Sequence, residues 1–201
     1  MKIVRSLTAA ALGLAIATAA FASFGGGSKP ASPPPSSGSD NPSSPSEQSS
    51  NRQEAERWYG DAYSDVQKGK DQEKSGKANN AQKSYKRALD RGQRAVQLDS
   101  MYHEAWNLVG FTSRKLKNYD GSLAAYQHCL RIKPDFAPAR EYLGEAYLEM
   151  GRIDDAKKQL AALDPLEAPE EARTLSTAIH DWETAHPGSA TAAQADSTTG
   201  K

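Results

Sequence analysis

Two stretches of this chain repeat one another at a fixed distance. The shift that lays AWNLVGFTSRKL on AREYLGEAYLEM carries Gly110 onto Gly144, Ser113 onto Tyr147, Ser122 onto Ala156 and Tyr126 onto Leu160. A repeat of that length means stacked supersecondary units, each burying its apolar face only against the next. The glycine is the telling position. In a helix interior it costs about 1 kcal/mol relative to alanine, yet it recurs between large apolar residues. Where two antiparallel helices cross closely one side must lack a side chain, and a neighbour's large residue fills the space. Gly144 is expected at such a crossing with Ala156 on the partner helix, and Gly60, in AERWYGDAYSDV, is assigned the same role.

Helical spacing dominates from about Gln53 onward and strand signals are absent. Ala55, Trp58, Tyr59, Ala62, Tyr63 and Val66 fall at i, i+3, i+4 and i+7, as do Ala81, Tyr85, Ala88, Leu89, Ala95 and Val96. Breaks at Asn118, Pro134, Gly151 and Pro165 divide the rest into helices of about 11 to 20 residues. The reading is an all-α array of antiparallel helix hairpins.

The large and small positions identify the array further. Trp106, Val109, Gly110, Ser122, Tyr126 and Pro134 fit the pattern W-x2-L-G-x2-Y, A-x3-F, P over residues 103–136. Leu143, Gly144, Tyr147 and Ala156 fit it again over 137–170, with Leu163 in place of a small residue and the proline displaced to Pro165 or Pro169. The chain resembles the tetratricopeptide repeat (TPR) family, and small exported bacterial members of it, over about two thirds of its length. The resemblance implies a right-handed hairpin array. The segment 169–185, with Ala172, Leu175, Ile179 and Trp182 on one face, is expected to close it as a capping helix.

The first unit, 53–102, is irregular. With Gly60 aligned to Gly144, Ala88 and Ala95 align to Ser122 and Cys129, and the interval from Gly60 to Ala88 is more than twice that from Gly144 to Ala156. The surplus must form either two longer helices or a loop around GKDQEKSGKANN. A frame with Gly76 at the glycine position is set aside because Gln72, Ser75 and Asn79 are polar.

Composition matters chiefly at the ends. Lys2 and Arg5 precede an apolar run closing on Ala20-Phe21-Ala22, which reads as a signal peptide over 1–22 cleaved after Ala22. A retained anchor is the alternative, but the run is mostly alanine, threonine and serine, so its drive to insert is weak. No cysteine follows it, which excludes a lipid-modified N-terminal cysteine. Residues 23–52 are rich in Gly, Ser and Pro and 187–201 are polar, so both read as disordered, leaving 53–186 as the folded domain. The expected location is periplasmic or secreted.

Net charge is zero, so no overall field draws the chain to nucleic acid or anionic lipid. The four histidines lack metal-ligand spacing and read as surface residues, and no phosphate-binding loop, nucleophile elbow or dinucleotide fingerprint occurs. Cys129, the single cysteine, reads as a buried inert thiol. Neither an enzyme, a cofactor nor a metal is expected.

The resemblance implies binding instead. In TPR proteins the first helices of successive hairpins line a concave groove for a partner segment. The matching positions here are Arg57, Asp61 and Ser64; Glu104, Asn107, Phe111 and Arg114; and Glu141, Glu145 and Leu148, with Glu149 extending an acidic run. The lysines, asparagines and arginines with which chaperone-binding members clamp a terminal carboxylate give way here to Asp61, Glu141 and Glu145, which disfavours that ligand. Two readings of the acids stand: a solvated face relieved by Arg114 across the groove, or a receiver for a basic segment of a protein partner. The expected role is a scaffold or assembly factor in the bacterial envelope. The alternative is a structural subunit that self-associates through its TPR surface or fills the groove with its own N-terminal spacer.

Overall fold

The computed structural model describes residues 45–187, which form seven α-helices and one 3-10 turn. The helices are α1 (Pro45–Lys74), α2 (Ala78–Leu98), α3 (His103–Lys115), α4 (Tyr119–Ile132), α5 (Ala137–Glu149), α6 (Ile153–Ala161) and α7 (Pro169–Ala185), with the turn at Asp164–Leu166 between the last two. The expected signal segment, and most of the expected spacer and tail, lie outside the described residues.

Three hairpins follow one another, α1/α2, α3/α4 and α5/α6, and α7 packs on the last. Their turns are copies. Each first helix ends five residues after a glycine, at Gly69, Gly110 or Gly144, and each second helix starts nine residues after it. The seventh residue after the glycine has positive φ in all three: Gly76 at 71°, Lys117 at 63° and Gly151 at 74°. The next residue's N–H then donates five residues back, from Lys77 to Gln72, Asn118 to Ser113 and Arg152 to Tyr147, at 2.8 to 2.9 Å. This is a Schellman closure, which satisfies helix-end carbonyls that would otherwise lack donors. Glycine reaches that backbone region freely, whereas a residue with a side chain incurs roughly 1 to 2 kcal/mol.

The same register governs the crossings. A Cβ at Gly110 would lie 2.6 Å from the Tyr126 ring, and one at Gly69 would lie 2.6 Å from the Tyr85 ring. Tyr85 and Tyr126 are fully buried, and the small partners at the crossings are Ala81 and Ser122, the latter donating from Oγ to the Gly110 carbonyl at 2.9 Å. Gly60 does not belong to this series. It is exposed, and a Cβ there would meet open space. Gly69 takes the role assigned to Gly60, and Ala81 and Ala88, rather than Ala88 and Ala95, stand where Ser122 and Cys129 stand in the next hairpin.

The third crossing departs in another way. Gly144 is closed by Leu175 of α7, whose methyl carbons would lie 2.6 Å from an added Cβ. Ala156 is fully buried, but α6 stops at Ala161 ahead of the turn containing Pro165, so the buried large side chain against Gly144 comes from the last helix. Leu143, Tyr147, Leu163, Leu175 and Ile179 form one core with Tyr126 and Cys129. Trp106 packs at its edge and donates from Nε1 to the Ser100 carbonyl at 2.9 Å, while Pro134 lies in the link between α4 and α5, where its carbonyl accepts from Arg140 at 2.8 Å.

The surplus length of the first hairpin is helix, not loop. Helix α2 has 21 residues against 14 in α4, and α1 has 30 against 13 in α3. Helix α1 starts at Pro45, inside the stretch whose composition reads as spacer. Its opening turns over 46–50 are exposed, with Ser49 and Ser50 hydroxyls donating back to the carbonyls of Ser46 and Glu47. Once a helix is nucleated each added residue brings a hydrogen bond, so a polar extension persists on a packed helix. Among the described residues Ala55 is the first that is fully buried, and Arg52 anchors the extension through a 2.9 Å bond to Asp99 and a guanidinium 3.8 Å over the Tyr102 ring.

Candidate functional site

Helices α1, α3 and α5 lie side by side, and a groove runs across them. Counted from the crossing glycine of α3, the groove positions are six and three before it and one and four after it: Glu104, Asn107, Phe111 and Arg114. The same count on α5 gives Pro138, Glu141, Glu145 and Leu148, and on α1, from Gly69, gives Tyr63, Val66, Lys70 and Glu73. Tyr63, Val66 and Lys70 meet Glu104, Asn107, Phe111 and Tyr142 around one pocket. Arg57 and Asp61 do not reach it. Both are exposed beside Glu54 and Trp58, and the Asp61 carbonyl accepts from Arg91 of α2 at 3.3 Å. Gly60 and Gly69 are nine residues apart, two and a half helical turns, so the face counted from Gly60 points to the opposite side of α1.

The α5 acids are mostly paired. Arg114, 7% exposed, sits between α3 and α5 with Glu145 at 2.5 Å and Glu149 at 2.7 Å. Lys117 and the Tyr119 hydroxyl add donors to Glu149 at 3.0 and 3.1 Å. Burial pushes the Glu149 carboxyl up, but Lys117, Arg114 and Tyr119 outweigh it and hold the group below the usual carboxylate range. Arg114 is destabilised by burial, yet Tyr126, Glu145 and Glu149 more than compensate and raise its pKa. The guanidinium also lies 5.6 Å from the Phe111 ring centre and 5.9 Å from that of Tyr142. Arg114 is thus a buried strut that ties α3 to α5 and neutralises two of the three glutamates.

Glu141 is the exception. It makes no ion pair among the described residues, and it is half-buried. Burial first, then Glu145 and Glu171, push its pKa up to about 7 against the weaker pull of Arg114 and Lys70. Around it the groove is aromatic: Phe111 and Tyr142 lie 5.5 Å apart, and Lys70 Nζ stands 4.8 Å over Phe111.

Elsewhere the arrangement offers little chemistry. Burial pushes the Cys129 thiol up to about 12, with Glu104 adding to the shift, so the thiolate is scarce at neutral pH. His180 and His186 are exposed, but His103 and His128 are half-buried, held edge-on by Phe136 at 4.8 Å and stacked on Trp106 at 4.1 Å. Among the described residues no group of three or more His, Cys, Asp or Glu is placed to hold a metal ion.

Sequence reasoning missed Tyr63, Val66, Lys70 and Tyr142. A signal for the α1 residues was present: Gly69, Ala81 and Tyr85 have the spacing of Gly110, Ser122 and Tyr126, but Gly69 lies further from Gly110 than Gly110 does from Gly144.

Such hairpins, crossing glycines and groove define a TPR-type all-α array. Residues 114–179 match the tetratricopeptide repeat family, a segment that covers α4 to α6 and the first part of α7 and leaves out the first hairpin and nearly all of α3. Among solved structures, the chain is similar to the OM64 TPR domain of Arabidopsis, at 14% identity over 65% of this chain and 98% of that one, with a TM-score of 0.51. It is similar also to the type III secretion translocator chaperone SycD of Yersinia enterocolitica, at 21% identity over 66% of this chain and 91% of that one, with a TM-score of 0.50. At such identities the likeness is one of fold. No curated protein matches the chain. By architecture the chain is an all-α helix-hairpin array of TPR type, and its second half carries the segment that matches the tetratricopeptide repeat family.

Proposed function

We propose that the chain is an exported protein-interaction module that holds a segment of another envelope or secreted protein, as a scaffold or assembly factor and without catalysis. The observation that carries the reading is the groove. It crosses three helices, its walls are aromatic, and its position is fixed by the buried Arg114 strut and not by a mobile loop. A preformed concave surface of this kind lowers the ordering cost of binding. Export rests on the N-terminal sequence alone, with Lys2 and Arg5 ahead of an apolar run and Ala20 and Ala22 at the cleavage site.

Two measurements test the proposal. Mature protein from the native host is expected to begin near Ser23 and to fractionate with envelope or medium; an intact N-terminus in the cytosol would end the export reading. Full-length chain immobilised against the envelope fraction is expected to retain a protein that Asn107→Ala, with unchanged helical content, no longer retains. Equal retention by that variant, or recovery of the chain's own copies alone, would replace a groove for a partner with self-association.

A further inference from the structure

Where α1, α3 and α5 come together, the groove deepens into a pocket of about 390 Å³ including its mouth. That space admits one long side chain and not a helix about 10 Å across. Four rings surround it: Tyr59 and Tyr63 on α1, with centroids 6.3 Å apart, and Phe111 and Tyr142 from α3 and α5. Tyr63 is 51% exposed and leaves one side open. Ring faces are negative and attract cations. The chain supplies its own example, since Lys70 already stands over Phe111.

Two polar side chains of the lining, Glu104 and Asn107, offer acceptors. Glu104 Oε2 and Asn107 Oδ1 are buried and receive no hydrogen bond from the protein, and among the described residues the one cationic group near Glu104 Oε2 is His103 Nδ1 at 3.0 Å. A buried acceptor without a donor is costly, and ammonium and guanidinium groups carry donors only. The charges facing the groove point the same way. Glu104, Glu141, Glu145 and Glu149 stand against Lys70 and Arg114, with Lys117 at the edge, and both Arg114 and Lys117 are engaged by Glu145 and Glu149. Glu141 has no ion-pair partner among the described residues, and Glu104 has only His103, which is a cation only when protonated.

We infer that the pocket between Tyr63 and Tyr142 takes a lysine or arginine side chain of the partner segment, its head group donating to Glu104 and Asn107. This rests on the groove reading and specifies what the groove selects. It is the reverse of an anion clamp: the partner contributes the cation and the module the acceptors.

The test uses the full chain, isotopically labelled, and three blocked amino acids: Nα-acetyl methylamides of lysine, norleucine and glutamate. The lysine compound is expected to shift the resonances of Tyr63, Asn107 and Phe111 saturably. Norleucine and glutamate compounds are expected to bind at least about tenfold more weakly, and Glu104→Gln to weaken lysine binding about tenfold, as for loss of a charge-assisted hydrogen bond. Raising the salt should weaken binding of lysine and not of norleucine. Equal binding of norleucine, preference for glutamate, or an unaltered Glu104→Gln variant would overturn the inference. If all three compounds fail while an envelope protein is still lost on Asn107→Ala, the cation pocket falls and the groove reading stands.

Discussion

Hairpins α1/α2 and α3/α4 share one geometry and differ in nearly all the chemistry that surrounds it. In the second, the large positions four and one before the crossing glycine are Trp106 and Val109; in the first they are Asp65 and Lys68. Apolar packing gives way to a polar seam. Asp65, 6% exposed, accepts from Arg87 at 2.8 Å and Arg91 at 2.7 Å, and Ser84 donates to Gln72 at 2.8 Å. The turn, the glycine, the small residue opposite and the tyrosine ring are retained in both. The crossing and the turn therefore define the unit, and the large apolar positions can be exchanged if their replacements find partners.

Glycine substitutions are the strongest way to break that equivalence. Gly69→Ala and Gly110→Ala each force a Cβ against a fully buried tyrosine ring, so both are expected to destabilise by about 1 to 3 kcal/mol in urea unfolding. Gly60→Ala, in the same helix as Gly69 but facing open space, is expected to stabilise by about 0.5 to 1 kcal/mol. If Gly60→Ala proves the damaging change, the first hairpin's register is wrong.

The polar seam offers the next test. Asp65→Ala is expected to cost about 1 to 2 kcal/mol, because a buried charge-assisted network is lost while the two partly exposed arginines recover water. Arg87→Ala or Arg91→Ala alone is expected to cost about 0.5 kcal/mol, since each is partly exposed and the other remains. An Asp65→Ala variant that melts unchanged would show the seam to be decorative.

Glu141 sharpens the contrast, as an unpaired carboxylate where Asp65 has two partners. Its folded-state pKa, about 7, lies above the ordinary 4.5, so the unfolded chain holds fewer protons between those values and stability falls as pH rises through them. Glu141→Gln is expected to raise stability at pH 8 by about 1 kcal/mol, allowing for solvent screening of a half-exposed group, and to make no difference below the ordinary pKa. Melting curves of both proteins across that range should therefore converge in acid; a constant offset would refute the assignment.

The smallest effect concerns the turns. Lys117 occupies the left-handed position that glycine holds in the other two, and Lys117→Gly relieves about 1 kcal/mol of backbone cost while losing an exposed pair with Glu149, for a net gain of about 0.5 kcal/mol. Gly76→Ala and Gly151→Ala should each lose about 1 kcal/mol. Thermal melts of the three variants test whether the turns are equivalent.

The fold was legible where side chains carried the repeat. Trp106, Val109, Gly110 and Tyr126 mark one unit, and Gly144 with Tyr147 marks the next, because apolar packing writes a period into the sequence. The first unit was not legible in that way, since Asp65, Lys68 and Gln72 are polar at the diagnostic positions and the step from Gly69 to Gly110 is longer than the step from Gly110 to Gly144. The consequence reached the site. On α3 the expected Glu104, Asn107 and Phe111 line the pocket, joined from α5 by Tyr142, whereas on α1 a register displaced from Gly69 to Gly60 selected Arg57 and Asp61 in place of Tyr63, Val66 and Lys70. The Arg114 strut was half visible: its charge suggested relief of the glutamates, but its burial and its double pairing depend on how closely α3 and α5 approach.

Helix α2 exceeds α4 by seven residues, while the four-residue links after both helices, 99–102 and 133–136, are alike. Seven residues are nearly two whole turns, which rotate a helix face by only about 20°. Growth by that increment lengthens one unit of the array yet leaves every later unit facing as before. Insertion of five residues would have swung the following helices by about 140°. The admissible lengths of such an array are thus quantised by helical phase, two-turn steps being the ones that keep the later helices facing as before.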